Sequence, residues 1–166
     1  MKHPVPQVGP IDDLIEATLQ RAGARAGART GARAGAPAPE RPRATADPAI
    51  DERLMAHLKK GVAALLDKKA EKLVVLNLQG LTTISDYFVL ATAGSDRQAQ
   101  ALADAVEMAL KAEGRRPLSI EGYRSAAWIL LDYGDVVFHV FHHEARRFYG
   151  LERLWGDAPD ATAAFR

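Results

Sequence analysis

From Pro48 onward the apolar residues change period several times, and each change marks an element. Ile50, Leu54, His57, Leu58, Val62, Leu65 and Leu66 recur at helical spacing, which predicts a helix running to about Lys69. Asp47 suits its N-cap and Pro48 its first helical position. Lys72 to Leu78 is short and β-branched, a strand closed by the turn residues Gln79-Gly80. Asp86 to Ala93 is almost continuously apolar, as expected of a strand covered on both faces in the middle of a sheet. Gly94 ends it. Ser95 is placed to cap a second helix, with Gln98 three residues on, the spacing of a capping box. That helix carries Ala99, Leu102, Val106, Ala109 and Leu110 on one side and stops at Gly114. Arg116 to Glu121 reads as a third strand, with Pro117 near its start. Ala127 to Tyr133 and Val136 to Phe141 are two more, joined by a tight turn at Gly134-Asp135. Glu144 to Leu154 is a final helix or broken turn. The predicted order αββαβββα implies an α/β fold, a mixed five-stranded sheet with flanking helices.

Before Pro48 the pattern is different. Ile11 to Arg21 has one apolar side, from Ile11, Leu14, Ile15 and Leu19, but is too short for a stable isolated helix. Four Arg-x-Gly-Ala tetrads follow, led by Arg21, Arg25, Arg29 and Arg33. A helix would align these arginines, but each glycine costs about 1 kcal/mol relative to alanine. Like charges four apart also repel. Residues 1–47 are therefore expected to be a disordered basic tail, 48–159 the folded domain and 160–166 a flexible C-terminal tail. Residues 21–43 hold six arginines against one glutamate, a net of +5. From residue 50 onward, 15 Lys/Arg face 16 Asp/Glu, a net of −1. The basic character thus sits in the tail, where each arginine could neutralise an RNA phosphate; a low-complexity stretch without that role is the competing reading.

Composition narrows the function classes. At 166 residues and 48% hydrophobic content the chain suits one domain with a real core plus tails. No apolar run approaches the ~20 residues of a membrane helix. The first residues lack the apolar block of a secretory signal. The Arg- and Ala-rich stretch resembles a transit peptide in composition, but Asp12, Asp13 and Glu16 argue against that, and a cytoplasmic location is expected. The chain has no cysteine, which removes disulfides, thiolate metal sites and cysteine nucleophiles.

Candidate chemistry is sparse. Gly94-Ser95, between a strand and a helix, resembles the start of a nucleotidyltransferase site and could hold an anion at the helix N-terminus. A nucleotide-binding or nucleotidyl-transfer enzyme is the alternative this suggests. Such chemistry needs two or three carboxylates around magnesium ions. The expected Asp-x-Asp is missing, and Asp132 and Asp135 flank a turn. His139, His142 and His143 form a cluster whose spacing fits no metal pattern, so neither metal nor cofactor is expected. Gly-x-Ser-x-Gly and a phosphate-binding glycine loop with lysine are absent. The hairpin remains. Strand alternation puts Trp128, Leu130 and Asp132 on one face and Ile129, Leu131 and Tyr133 on the other. Large apolar groups on both faces fit either a central core strand or a strand with one side kept for a partner.

Several segments resemble the ribosome silencing factor (Iojap-like) family. They are Asp86 to Ala93, Ser95-Asp96-Arg97-Gln98, Glu121-Gly122-Tyr123, Trp128 to Val137 followed by His139-Val140, and Glu144 through Phe148-Tyr149 and Glu152 to Pro159. Together they span about 50–159 in order. Arg124-Ser125 departs from it, in a loop that is often acidic. The resemblance implies a nucleotidyltransferase-like fold without the catalytic acids, and a protein that is not an enzyme. It further implies binding to the fourteenth protein of the large ribosomal subunit, which blocks joining of the small subunit and represses translation. On this view Trp128, Leu130, Asp132, Tyr133, Asp135 and Glu121 form the contact surface, with Trp128, Leu130 and Asp132 as the docking side. The arginine tail would touch ribosomal RNA, and the chain would be a monomer or weak homodimer.

Overall fold

The computed structural model describes residues 48–82 and 84–166. The short helix and arginine repeat expected within 1–47 lie outside the described residues. The elements are α1 (Pro48–Asp67), β1 (Glu71–Asn77), β2 (Tyr87–Ala93), α2 (Asp96–Ala112), β3 (Ser119–Glu121), β4 (Trp128–Asp132), β5 (Val136–His142), α3 (His143–Tyr149) and α4 (Leu151–Leu154). A 3-10 turn at Thr162–Ala164 follows. Among the described residues no helix is long and apolar enough to cross a membrane.

The five strands form one mixed sheet in the order β1-β2-β5-β4-β3. β2 and β5 run parallel, and the other neighbours are antiparallel. Every residue of β2 is buried, as its apolar run predicts, because both sheet faces are covered. On one face α1 contributes Leu54, Leu58, Val62 and Leu65, and α2 contributes Ala99, Leu102, Val106 and Leu110. They pack against Val89, Ala91, Ile129, Leu131, Phe138 and Val140 of the strands. On the other face Phe88, Leu90, Trp128, Leu130, Val137 and Phe141 lie under Leu151 and Trp155. The sheet is thus the middle of three layers.

Local chemistry sets the boundaries. Ser95 is the N-cap of α2, its hydroxyl accepting from the Gln98 amide at 3.1 Å. The Gln98 side chain accepts from the Gly94 amide at 2.7 Å. Its amide nitrogen donates to the Lys69 carbonyl at 3.2 Å, which ties the end of α1 to the start of α2. The expected final helix is broken in two at Gly150, where φ is +53°.

Residues 160–166 do not form the expected flexible tail. The Ala161 amide donates to the Val75 carbonyl at 2.8 Å, and the Val75 amide donates to the Thr162 hydroxyl at 2.9 Å. Phe165 is buried and meets the Tyr87 ring edge-on at 6.3 Å. The polar and small residues before it hid this single apolar anchor.

Gly61 lies inside α1, where Gly→Ala usually stabilises by about 1 kcal/mol through helix propensity. Here an added methyl would overlap the buried Phe138 ring. Overpacking a filled core costs typically 1–3 kcal/mol, so the steric effect exceeds the propensity gain. Chemical denaturation of Gly61→Ala is expected to show a net loss of about 1 kcal/mol; a gain would mean that Phe138 moves aside freely.

Candidate partner-binding surface

The hairpin forms as its sequence demands. The Tyr133 amide donates to the Val136 carbonyl at 2.9 Å, which closes a loop whose two central residues are Gly134 and Asp135. Positive φ occurs at Gly134 (+86°) but not at Asp135, so the glycine carries the conformation that side chains disfavour. Asp132 steadies the turn, its Oδ1 accepting from the Gly134 amide at 2.8 Å.

The expectation of an open face at Trp128 and Leu130 needs correction. Trp128 is 2% and Leu130 1% exposed. Trp128 Nε1 donates to His139 Nδ1 at 3.1 Å, and its ring lies 4.8 Å from both Phe141 and Tyr149. The C-terminal helices cover this face, so these two residues serve as packing. Tyr133 is buried too, on the opposite face, where burial and then Glu107 push its phenol up to about 12. Asp135 forms an ion pair with Arg115, whose Nη2 also donates to the Tyr133 carbonyl at 2.9 Å. The Asp135 carbonyl accepts from the Asp86 amide at 2.8 Å and the Ser85 hydroxyl at 2.8 Å. It therefore fastens the hairpin to the start of β2. Glu121 and Asp132 keep partial exposure. Register places Ser119 opposite Asp132 and Glu121 opposite Leu130, so both acids share one sheet face beside the edge strand. Sequence reasoning missed the apolar residues there: Leu118 is 76% exposed and Ile120 36%. Their alternation with Ser119 and Glu121 was visible in the sequence.

The other candidate groups are occupied structurally. Gly94 and Ser95 are engaged by Gln98. Among the described residues no three His, Cys, Asp or Glu side chains converge as metal ligands. His139 is sealed among Phe88, Trp128 and Phe141. Behind it the buried Arg146 donates through Nε to Glu152 at 2.8 Å, through Nη1 to the Thr92 hydroxyl at 3.1 Å, and through Nη2 to the Lys72 carbonyl at 2.9 Å.

Residues 51–165 match the family model for the ribosomal silencing factor during starvation. The chain belongs to this family. It is 45% identical over 102 residues to the ribosomal silencing factor RsfS of Halalkalibacterium halodurans, covering 61% of this chain and 87% of that protein. It is 43% identical over 108 residues to the RsfS of Bacillus subtilis, covering 65% and 92%. More distant is the mitochondrial Iojap-related protein of Arabidopsis thaliana, 32% identical over 103 residues and covering 59% of this chain and 55% of that one. A crystal structure from Chromobacterium violaceum superposes with a TM-score of 0.59 at 36% identity, over 63% of this chain and 85% of that one. One from Bacillus halodurans gives 0.55 at 39%, over 63% and 94%. A regulatory silencing role acting on ribosomes follows from this membership.

Two predictions concern the cover over Trp128. Removing one partner of a buried ion pair costs roughly 3–5 kcal/mol, but Glu152 is 39% exposed, which lowers the figure here. Arg146→Met should destabilise the domain by about 2–3 kcal/mol in denaturant unfolding, and a loss under about 0.5 kcal/mol would show that Arg146 anchors nothing. His139 is fully buried, and desolvation first, then the Arg146 charge, lowers its pKa to about 3. The unfolded chain takes up this proton near its ordinary value of about 6.5. Stability is therefore unaffected by His139 above that pH and falls as the pH drops from there toward 3. His139→Phe should flatten the decline; an unchanged slope would assign it to other groups.

Proposed function

We propose that the chain binds the large ribosomal subunit through its fourteenth protein and blocks joining of the small subunit, repressing translation in the cytoplasm by occlusion and without catalysis. The observation that carries this reading is the family match across 51–165, which includes the hairpin and the C-terminal helices that cover it. The fold is taken as nucleotidyltransferase-like with its catalytic acids lost. Family names support ribosome silencing, and the surface chemistry supports a basic partner. Glu121 and Asp132 stand partly exposed on one sheet face, and the apolar Leu118 and Ile120 project to the other face along the same edge. Acids at such a rim speed encounter with a cationic partner and fix its register. Trp128, Leu130, Tyr133 and Asp135 serve the site indirectly, by holding β4 and its turn rigid. The arginine tail adds contacts to ribosomal RNA, and the chain acts as a monomer or weak homodimer.

Sedimentation of separated subunits mixed with the chain tests this. Large subunits should carry the chain and fail to join small subunits. Asp132→Asn keeps the acceptor for the Gly134 amide and removes the charge. Combined with Glu121→Gln, it should weaken large-subunit binding by about tenfold, since each 1.4 kcal/mol is a factor of ten. Full subunit joining at saturating chain would overturn the reading.

A further inference from the structure

The sheet has two edges, and the chain treats them differently. Along β1 the C-terminal residues close the outer edge. The Asn77 amide donates to the Pro159 carbonyl at 3.0 Å, Leu76 bridges Asp160, and Ala161 bonds Val75. β3 is the opposite terminal strand, and among the described residues no further strand pairs with it. Exposed edges offer unpaired backbone groups, and proteins usually blunt them with lysine, proline or a covering segment. Here only the short length of β3 and Pro117 before it do so. The strand and its lead-in instead present Leu118 and Ile120 to solvent.

We infer that the β3 edge is a strand-addition site, which takes an extended basic segment of a partner protein as a sixth strand. The inference rests on the proposed large-subunit binding and names how the partner is held. Its specificity follows from alternation. Leu118 and Ile120 point to the sheet face covered by α1 and α2, since Ile120 lies opposite Leu131 of that core. Ser119 and Glu121 point to the other face, where Asp132 lies opposite Ser119. An added strand therefore meets an apolar row on one face and, on the other, Glu121, which has its Oε2 buried, with Asp132 one strand further in. Backbone pairing gives such binding its affinity, and alternate side chains give it selectivity. The segment that fits alternates aliphatic residues with lysine or arginine, because cross-strand opposite charges are favourable and like charges are not. Arg116 and Arg124 are exposed beyond the two ends of β3, so the cations belong at its centre.

Hydrogen exchange of the full chain, free and bound to purified large subunits, tests the inference. Amides of residues 118–121 should exchange at least about tenfold more slowly in the complex. Leu118→Lys alters an exposed side chain and leaves the fold intact, and Glu121→Lys reverses the charge; each should weaken binding by about tenfold. Bound subunits with no protection at 118–121 would overturn strand addition while large-subunit binding stands. No binding of intact subunits would overturn both. Equal binding to protein-stripped ribosomal RNA would make the partner a nucleic acid and sink the proposal. So would protection of the free chain that rises with its own concentration, which would make the occupant a second copy.

Discussion

A buried guanidinium cannot lose its proton and cannot stay unpaired, so whatever surrounds Arg146 has to satisfy it. The constraint reaches far along the chain. β1 contains a bulge between Glu71 and Val74, and Lys72 within it adopts φ +47°, a conformation that costs a lysine about 1–2 kcal/mol. In that conformation the Lys72 carbonyl accepts from Arg146. Thr92 is the one aliphatic hydroxyl in the fully buried β2, and it too bonds the guanidinium. Glu152 comes from α4, beyond the left-handed Gly150 that turns the chain back. Three separated features (a bulge, a hydroxyl in a central strand and a glycine break) have one physical reason in common.

That reason also explains why the C-terminal helices can cover the sheet. α3 has seven residues and α4 four, too few for either to be stable alone. Arg146 pins α3 to β1 and β2 while Leu151 and Trp155 press on Phe88 and its neighbours. The sealed face then tolerates a neutral His139, which accepts from Trp128 and so consumes the one polar group of that indole.

Much of this was legible from the chain itself. The continuous apolar run of β2 told its central position, and Ser95 with Gln98 told where α2 begins, because both signals are local. The hairpin turn was legible for the same reason. What could not be read was the choice between core and contact for Trp128. Period-two alternation reports that both faces of β4 are apolar, but the cover comes from residues some twenty positions later, held by a cation whose partners are dispersed through the sequence. Phe165 escaped notice because one aromatic in a polar stretch carries no period. Asp135 read as a free surface acid for want of any sign that Arg115 would reach it.

Burial of both sheet faces moves the search for function to the rim. A face sealed by three aromatic contacts around Trp128 offers a partner nothing without unfolding the C-terminal helices, and their anchor is a buried, fourfold-bonded arginine. The C-terminal residues occupy one sheet edge as they run back along β1. Among the described residues, apolar side chains, carboxylates and an edge strand come together on the β3 side of the hairpin. Trp128 bears on that edge at one remove: it packs from β4 against β5 and so supports the strand on which β3, with its exposed Leu118 and Ile120, is laid.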